Sequence, residues 1–491
     1  MICPMYPELT REYIISNGLV KGQIESFDRF VDKGMQVVVT AQEKIEPSVD
    51  EYSIKLGKIR VEKPTVTEAD GSKHPLTPME ARQRDLSYTA PLFLEMICID
   101  KGVEKKAEDV YIGELPIMLK SKLCCLRGKS AAELAELGED PRDPGAYFII
   151  NGTEKSLMTL EDLAPNRILV SREKDKDLVQ AKVFSTREGF RGRCTVDRTS
   201  EGKLGVTLPS YNRALELIMV LRALGLKSDE TILASFSSEK EVHNDVLLNL
   251  ELDESRNQPQ ALSIIGKRAA PGQPEEYQVK RAELLLDRYL LPHIGIESKH
   301  RLAKAYYLCR MSERAVLVAY RTRPVEDKDH YSNKRLKIAG SLMSELFRYS
   351  FQFFVKDVAY QTERANVRGR RMSLFAIVRP DALSDRLKYS MATGNWVGGH
   401  TGVCQVLDRY NYISALSFIR RVTSPLAKKH PHYKARDLHG THWGRLDPNE
   451  TPEGPNCGLI RNLALFCEVS GDVDEAAVER EVKKMGVSMN L

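Results

Sequence analysis

The sequence lacks the features of a membrane or secreted protein. No apolar run approaches the roughly 18 residues of a membrane span, and the first residues, MICPMYPELTREYI, lack the charge and apolar pattern of a signal peptide. Nine cysteines are scattered along the chain with no CxxC pair, and their odd number in a long chain argues against a disulfide framework. These absences predict a cytoplasmic protein in a reducing compartment, without contact to a membrane.

The composition is that of a globular chain with one basic segment. The 491 residues are 42% hydrophobic and 29% charged, which predicts about three or four domains with a sizeable core. The net charge is +5, but residues 361–437 hold fourteen lysines and arginines against five acids, so the rest of the chain is net acidic. Concentrated basic charge suits a groove for a phosphate backbone. The alternative is an ordinary solvated basic face.

Periodicity predicts mixed α and β structure. Helices are predicted at 19–32, 131–137, 211–224, 276–291, 302–320, 336–364 and 475–485. Strands are predicted at 37–40, 53–64, 88–100, 147–150, 167–171, 178–184, 193–197 and 204–208. Asn151-Gly152 is a strong hairpin signal, and the proline within residues 111–120 indicates a loop or an edge strand. The mostly polar residues 251–275 are predicted to be a mobile surface loop.

One stretch, residues 437–462, reads DLHGTHWGRLDPNETPEGPNCGLIRN. Its glycines, prolines and asparagines favour turns at fixed points and disfavour a helix or a central strand. Many polar side chains stand among those turns. A prescribed backbone that carries so many polar groups is typical of a functional loop on a scaffold.

The part HGTHWGRLDPNETPEGPNCGLI resembles the fork motif of the second-largest subunit of multisubunit DNA-directed RNA polymerases. DPGAYFIINGTEKSLM, from residue 143, resembles the protrusion domain of that family, and DKDHYSNKRLKIAGSLM, from residue 327, also resembles the family closely. Because the chain ends shortly after the fork motif, the resemblance is to the N-terminal half of the archaeal form of this subunit, in lineages where its gene is split.

The resemblance implies an α+β, multidomain chain. Residues 1–170 would form the first part of the protrusion, 171–320 the lobe, and 321–425 the second part of the protrusion with the first fork loop. Residues 426–491 would form the fork region and the start of a further domain that a separate chain completes. The implied partners are the C-terminal half of the split subunit, the largest subunit, template DNA, the RNA–DNA hybrid and NTP.

The family's reaction adds a nucleoside monophosphate to an RNA 3′ end with two metal ions. No aspartate triad of the DFDGD kind occurs in this sequence. The resemblance implies that Mg²⁺ is held by the largest subunit and zinc by the partner half-subunit, so this chain would bind no cofactor and would not catalyse alone. Its role would be to position nucleic acid and NTP beside the active centre.

The resemblance also implies site residues. Arg436, Thr451 and Glu453 would lie near the active centre. The implied nucleic-acid-binding residues are Lys388, Asn395, Gln405, Asp408, Arg420, Arg421, Lys434 and Arg436. Plainer readings stand beside these, because Arg420 and Arg421 at a helix end would complement the helix dipole, and Glu450 or Glu453 would cap turns.

Two alternatives remain open from the residues. One is a stand-alone nucleic-acid-binding module, with a steep salt dependence of binding. The other, less favoured, is a metallohydrolase that uses His439, His442, Asp447 and Glu450, since H-x-x-H with a carboxylate resembles a metal site.

Overall fold

The computed structural model describes residues 5–68, 70–173, 177–187, 189–369, 373–427, 430–471 and 475–487. They form two compact units, one of residues 1–162 and 335–472 and the other of residues 163–334 and 473–491. Residues 163–334 of the second unit therefore interrupt the sequence of the first. Within the part of the chain that is described, no helix is long and apolar enough to cross a membrane.

The structure is a mixture of helices and strands, so the predicted α+β class is confirmed. The α-helices among the described residues are α1 (Met5–Asn17), α2 (Lys21–Arg29), α3 (Met35–Gln42), α4 (Pro78–Gln83), α5 (Ala131–Glu136), α6 (Leu217–Ala223), α7 (Asp229–Ala234), α8 (Lys240–Glu251), α9 (Gln258–Ala269), α10 (Glu275–Leu284), α11 (Arg301–Ala319), α12 (Ala339–Val367), α13 (Leu374–Ile377), α14 (Asp381–Thr393), α15 (Tyr412–Ile419), α16 (Tyr433–Arg436) and α17 (Glu475–Lys484).

The strands form several separate sheets. They are β1 (Lys44–Ile45), β2 (Tyr52–Val61), β3 (Thr65–Thr67), β4 (Lys73–Pro75), β5 (Thr89–Asp100), β6 (Val103–Glu104), β7 (Glu108–Pro116), β8 (Phe148–Ile150), β9 (Thr153–Leu157), β10 (Thr159–Leu163), β11 (Leu169–Glu173), β12 (Leu178–Arg187), β13 (Phe190–Arg198), β14 (Leu204–Leu208), β15 (Tyr211–Glu216), β16 (Lys334–Lys337), β17 (Cys404–Val406), β18 (Arg421–Thr423) and β19 (Ile460–Asn462).

Three predicted elements are wrong. Residues 37–40, predicted as a strand, lie in α3, because the π-helical turn Phe30–Gly34 joins α2 to α3 without leaving helical geometry. The β-branched run was overridden by helix packing, since Val38 and Val39 are buried on one face. Residues 211–216, predicted as helix, form β15, and α6 begins only at Leu217.

The third error is the surface loop predicted for residues 251–275, which contains α9. Asn257 caps this helix by accepting a hydrogen bond from the Gln260 backbone N–H at 3.0 Å, and a proline stands in its first turn. Ala261, Leu262 and Ile265 are its buried face. The short apolar patch within polar sequence was therefore the core side of an amphipathic helix.

The first unit is built around the long helix α12, which crosses α2 closely. The Ala339 backbone N–H donates to Gln23 Oε1 and the Gly340 N–H to Ser26 Oγ, each at 2.9 Å, so α2 supplies the cap of α12. A Cβ at Gly340 would overlap the Ser26 backbone carbonyl. Phe27, in α2, lies fully buried in the same core as the phenylalanines of α12.

The sheets of the first unit carry the predicted edge strand and hairpin. The largest sheet has the order β1-β2-β5-β6, and β7 pairs with β5 at its border, as predicted for the proline-containing segment. β8 and β9 form the predicted hairpin at Asn151-Gly152, and β17 pairs with β9. The sheet β16-β10-β18-β19 gathers short strands from distant parts of the chain.

The second unit is an antiparallel sheet packed with helices. Its strands run in chain order, β11-β12-β13-β14-β15. The buried helices α6 and α11 share one apolar core with these strands, including Val196, Leu221 and Val316. Alternation of buried and partly exposed residues along β12 matches a sheet with one covered face.

Candidate nucleic-acid interface

The motif of residues 437–462 ends on a small sheet that fixes its position. β18 pairs in parallel with β10 and antiparallel with β19, where Arg421 lies opposite Asn462. The buried Asn462 amide donates to the Ser417 carbonyl at 3.1 Å and to Ser417 Oγ at 2.8 Å. The glycine- and proline-rich backbone is therefore held between α15 and the end of the motif.

Arg436 joins two turns of this region through backbone carbonyls. Its guanidinium donates to the carbonyls of Pro431 at 2.7 Å, Pro455 at 2.8 Å and Cys457 at 2.7 Å. Gly458, with φ of +70°, packs so closely that a Cβ would overlap the Arg436 carbonyl oxygen. The side chain predicted to contact nucleic acid is thus an organiser of the loops.

Thr451 closes the same turn from the other side, whereas Glu453 is exposed. Thr451 Oγ1 accepts from the Gly458 backbone N–H at 2.8 Å and donates to the Ile460 carbonyl at 3.2 Å. Glu453 precedes the 3₁₀ turn Gly454–Asn456 and makes no side-chain cap there. The turn-capping reading of Glu453 is therefore not what the structure has, and its carboxylate faces solvent.

Arg420 and Arg421 are neighbours with different surroundings. The Arg420 guanidinium donates to the carbonyls of Leu19 at 2.5 Å, Ala464 at 2.6 Å, Leu465 at 3.2 Å and Leu463 at 3.4 Å. Burial lowers the pKa of Arg420. Within the described chain, the Arg421 side chain has no hydrogen bond or ion pair, and its guanidinium lies 4.7 Å from the centre of the Phe418 ring.

The predicted hybrid-contacting residues lie on α14 and in the loop after it. Lys388 pairs with Glu114 through Nζ and Oε2 at 2.7 Å, and both side chains are about one-third exposed. α14 ends at Gly394 with φ of +76°, where a side chain would meet the Cys404 carbonyl at 2.5 Å. The exposed Asn395 follows Gly394. Because Gly394 lies against Cys404 of β17, the start of this loop is folded back against that strand.

Gln405 and Asp408 lie on β17 and just beyond it. The Gln405 amide donates to the Gly402 carbonyl at 2.8 Å, and Asp408 Oδ1 accepts from the Tyr410 backbone N–H at 2.9 Å. Both side chains therefore shape local turns while remaining partly exposed.

The sequence reasoning missed a charge network that fixes this turn. Arg409 donates to Glu154 at 2.6 Å and to Asp143 at 2.7 Å, and Arg82 donates to the same Glu154 at 2.8 Å. Burial raises the pKa of Glu154, but hydrogen bonding and charge from Arg409 and Arg82 outweigh it, so the net pKa is lowered. Arg409 and Arg82 are distant from Glu154 in sequence. The one local signal for these ion pairs was therefore the position of Glu154 just after the Asn-Gly turn.

Exposed aromatic side chains occur in the same part of the sequence as the exposed basic residues. Lys434, in α16, is exposed and forms no hydrogen bond or ion pair within the described residues. Its neighbour Tyr433 is 76% exposed, and Tyr410 and Trp443 are 89% and 87% exposed. Exposed cations among aromatic rings are what single-stranded nucleic acid needs for phosphate contact and base stacking. Lys428 and Lys429, counted in the same basic segment, lie outside the described residues, as do Arg370 and Arg371.

The four residues of the hydrolase alternative make local contacts, in which His439 pairs with His442 and Asp447 with Glu450. His439 Nδ1 contacts Thr441 Oγ1 at 2.7 Å, and the buried His442 ring accepts from the His439 backbone N–H at 3.3 Å. Asp447 accepts from the backbone of Glu450 at 3.0 Å, while the Glu450 carboxylate binds Ser417. Over the described ranges, the histidine, cysteine and acidic side chains that converge as three possible ligands are Glu68, His74 and Glu80, elsewhere in the chain. The geometry gives the hydrolase no support.

Comparison with known proteins places the chain in a family. A model described as RNA polymerase beta subunit matches residues 18–385, and one described as RNA polymerase Rpb2, domain 3, matches residues 405–469. The DNA-directed RNA polymerase subunit Rpo2N of Methanococcus vannielii is 48% identical over 97% of this chain and 97% of its own length. Rpo2N of Methanocaldococcus jannaschii is 48% identical over 98% of this chain and 99% of its own length.

A longer relative aligns with the chain only in part. Subunit Rpo2 of Saccharolobus solfataricus is 44% identical over 97% of this chain but over only 42% of its own length. The predicted resemblance to the N-terminal half of a split archaeal subunit is thereby confirmed. The chain belongs to the RNA polymerase beta subunit family.

Proposed function

We propose that this chain, as a subunit of an archaeal DNA-directed RNA polymerase, positions template DNA, the RNA–DNA hybrid and NTP beside an active centre that other subunits complete. The family of the chain and the names of its relatives support the subunit role. The partners in this proposal are the C-terminal half of the split subunit and the largest subunit. Mg²⁺ would be held by the largest subunit, since this sequence has no aspartate triad of the DFDGD kind, and the family resemblance implies zinc on the partner half.

The observation that carries the positioning role is the contrast between anchored and available cations. Arg420 and Arg436 direct their guanidinium groups to backbone carbonyls and hold the loops. Arg421 and Lys434 keep their charges unpaired within the described chain. Cations on a fixed frame set the register of a phosphate backbone without reading its sequence. In this proposal Arg421 and Lys434 bind phosphates, while Arg420 and Arg436 are positioning residues.

The test is templated NTP incorporation by a polymerase reconstituted with and without this chain. We expect no activity without it. With Arg421→Ala or Lys434→Ala, binding to a template–RNA scaffold should weaken, and the slope of log affinity against log salt should fall by about 1 for each phosphate that is no longer neutralised. The matched control is Lys63→Ala, because Lys63 is exposed in the same unit and has no partner within the described residues.

Three results would count against the proposal. Full activity without this chain would refute the subunit role. An unchanged salt slope for both variants would refute the phosphate contacts. If the isolated chain bound nucleic acid equally well and never co-purified with polymerase subunits, the stand-alone binding module would be the better account.

A further inference from the structure

The second unit contains a cavity lined by three arginines, far along the sequence from the candidate interface. Its volume is about 360 Å³, and it is lined by Ser235, Tyr306, Arg310, Glu313, Arg314 and Arg323. The lining side chains carry two net positive charges. None of these residues belongs to the site proposed above.

One helix supplies most of the lining. Tyr306, Arg310, Glu313 and Arg314 lie on α11 at spacings of four, three and one residues, which brings them to one face of the helix. Ser235 ends α7 and donates its hydroxyl to the Thr231 carbonyl at 2.7 Å. Most of the cavity lining therefore rests on regular structure, while Arg323 follows α11 in a turn.

The positive charges of the three arginines are only partly balanced by acidic side chains. Arg314 and Arg323 share one carboxylate oxygen of Glu326, at 3.6 and 3.4 Å, while the other oxygen accepts the Val170 backbone N–H at 2.8 Å. Across the described ranges of the chain, the Arg310 side chain makes no hydrogen bond or ion pair. Burial lowers the pKa of Arg314, and the charges of Arg323 and Arg310 lower it further. An anion in the cavity would relieve this repulsion.

We propose that this cavity binds a phosphoryl group. Guanidinium groups offer paired N–H donors that match the oxygens of phosphate, and a dianion can accept from more than one arginine at once. Tyr306, which is 51% exposed, adds a hydroxyl donor and an aromatic face at the same opening. The phosphoryl group can belong to a free phosphate or nucleotide, or to the backbone of a nucleic acid.

The test measures, in the full-length chain, whether a ligand protects the arginines of the cavity from chemical modification. Phenylglyoxal modifies accessible guanidinium groups, and mass spectrometry reports the extent at each arginine. Inorganic pyrophosphate, AMP and a twelve-residue oligothymidylate are tested separately as protecting ligands. We expect Arg310 and Arg323 to be protected, with Arg288 as the internal control because it is exposed in the same unit and does not line the cavity.

Variants give the affinity. Arg310→Ala should weaken binding of the protecting probe about tenfold, as loss of one charge-assisted contact predicts, and Arg288→Ala should leave it unchanged. Glu313→Gln should tighten binding about threefold, because it removes from the lining a negative charge that repels the phosphoryl group. Circular dichroism of each variant separates loss of binding from loss of fold.

The outcomes divide clearly. Protection by pyrophosphate or AMP identifies a small-molecule source, and protection by the oligonucleotide alone identifies a nucleic-acid backbone. Equal weakening by Arg310→Ala and Arg288→Ala, or no protection by any of the three probes, would overturn the proposal. Stronger protection by polyglutamate than by every phosphate probe would also overturn it, in favour of an acidic protein segment.

Discussion

Two adjacent arginines, Arg420 and Arg421, should give opposite phenotypes when each is replaced by alanine. Arg420→Ala removes the donors to four backbone carbonyls, those of Leu19, Leu463, Ala464 and Leu465. Hydrogen bonds to a charged group contribute about 1.5–3 kcal/mol each when buried. Since Arg420 is only partly buried and solvent satisfies some of the carbonyls, we expect a total loss of about 2–4 kcal/mol of stability.

Arg421→Ala should change stability far less. Its guanidinium loses only the contact with the Phe418 ring, which is worth about 0.5–1 kcal/mol at a partly exposed position. Its effect should instead appear in binding to nucleic acid, as a lower salt slope. The pair is a matched comparison, because the residue type, the charge and the strand region are shared.

The assay is urea unfolding of the full-length chain, followed by the same measurement on the assembled polymerase. Arg420→Lys is the informative third variant. A lysine keeps the charge but cannot reach several carbonyls with a fork of donors. If Arg420 acts as an anchor, the lysine variant should remain destabilised. Restoration of both stability and function by lysine, or a larger stability loss for Arg421→Ala, would refute the reasoning.

Other perturbations follow from the same contacts. Glu154→Gln should destabilise the chain by about 2–3 kcal/mol in urea unfolding, whereas Glu62→Gln, at an exposed ion pair, should change stability by less than about 0.5 kcal/mol. Because the pKa of Glu154 is lowered in the folded state, its contribution is fully present above the ordinary value of 4.5 and is lost as pH falls through the folded value; the stability difference between the parent and Glu154→Gln should therefore be full above pH 4.5 and should shrink as the pH falls below it. Gly340→Ala should destabilise by several kcal/mol, roughly as for overpacking, while Gly22→Ala, in a helix with open space around it, should raise the thermal midpoint slightly. Thr451→Val should cost about 1 kcal/mol in the same unfolding assay, because the Gly458 N–H loses its acceptor; equal stability of this variant and the parent would contradict the turn-closing role.

Short sequence patterns predicted correctly the elements whose structure depends on neighbouring residues. The Asn151-Gly152 hairpin and the apolar face of α12 are visible in a few residues, and the structure has both. Residues 37–40 show the opposite case. Their β-branched side chains favour a strand, but packing against the core continues the preceding helix through a π turn. Such burial depends on distant residues and has no local signature.

The fixed character of this loop was predictable, but the role of each of its side chains was not. The abundance of glycine and proline indicates a fixed loop, and the structure anchors it on β18 and β19. Whether an arginine faces solvent or a carbonyl depends on which turns meet in space. Arg436 reaches the turn at Pro455, and Arg409 reaches Glu154, over separations that a linear pattern does not reveal. The assignment of nucleic-acid contacts therefore stays a prediction.

The cap that α2 provides for α12 has a consequence for synthesis on the ribosome. Gln23 and Ser26 cannot make these hydrogen bonds until the backbone of Ala339 and Gly340, which lie 316 and 314 residues later, has been synthesised. Residues 163–334 of the intervening unit emerge as one continuous segment, so they can collapse while the earlier strands still lack their central helix. Closing so long a loop adds little entropy beyond that of a shorter one, because the cost grows only with the logarithm of length. The hazard is instead the delay before α12 is synthesised, because during that time the apolar side of α2 is open to chaperones or to aggregation.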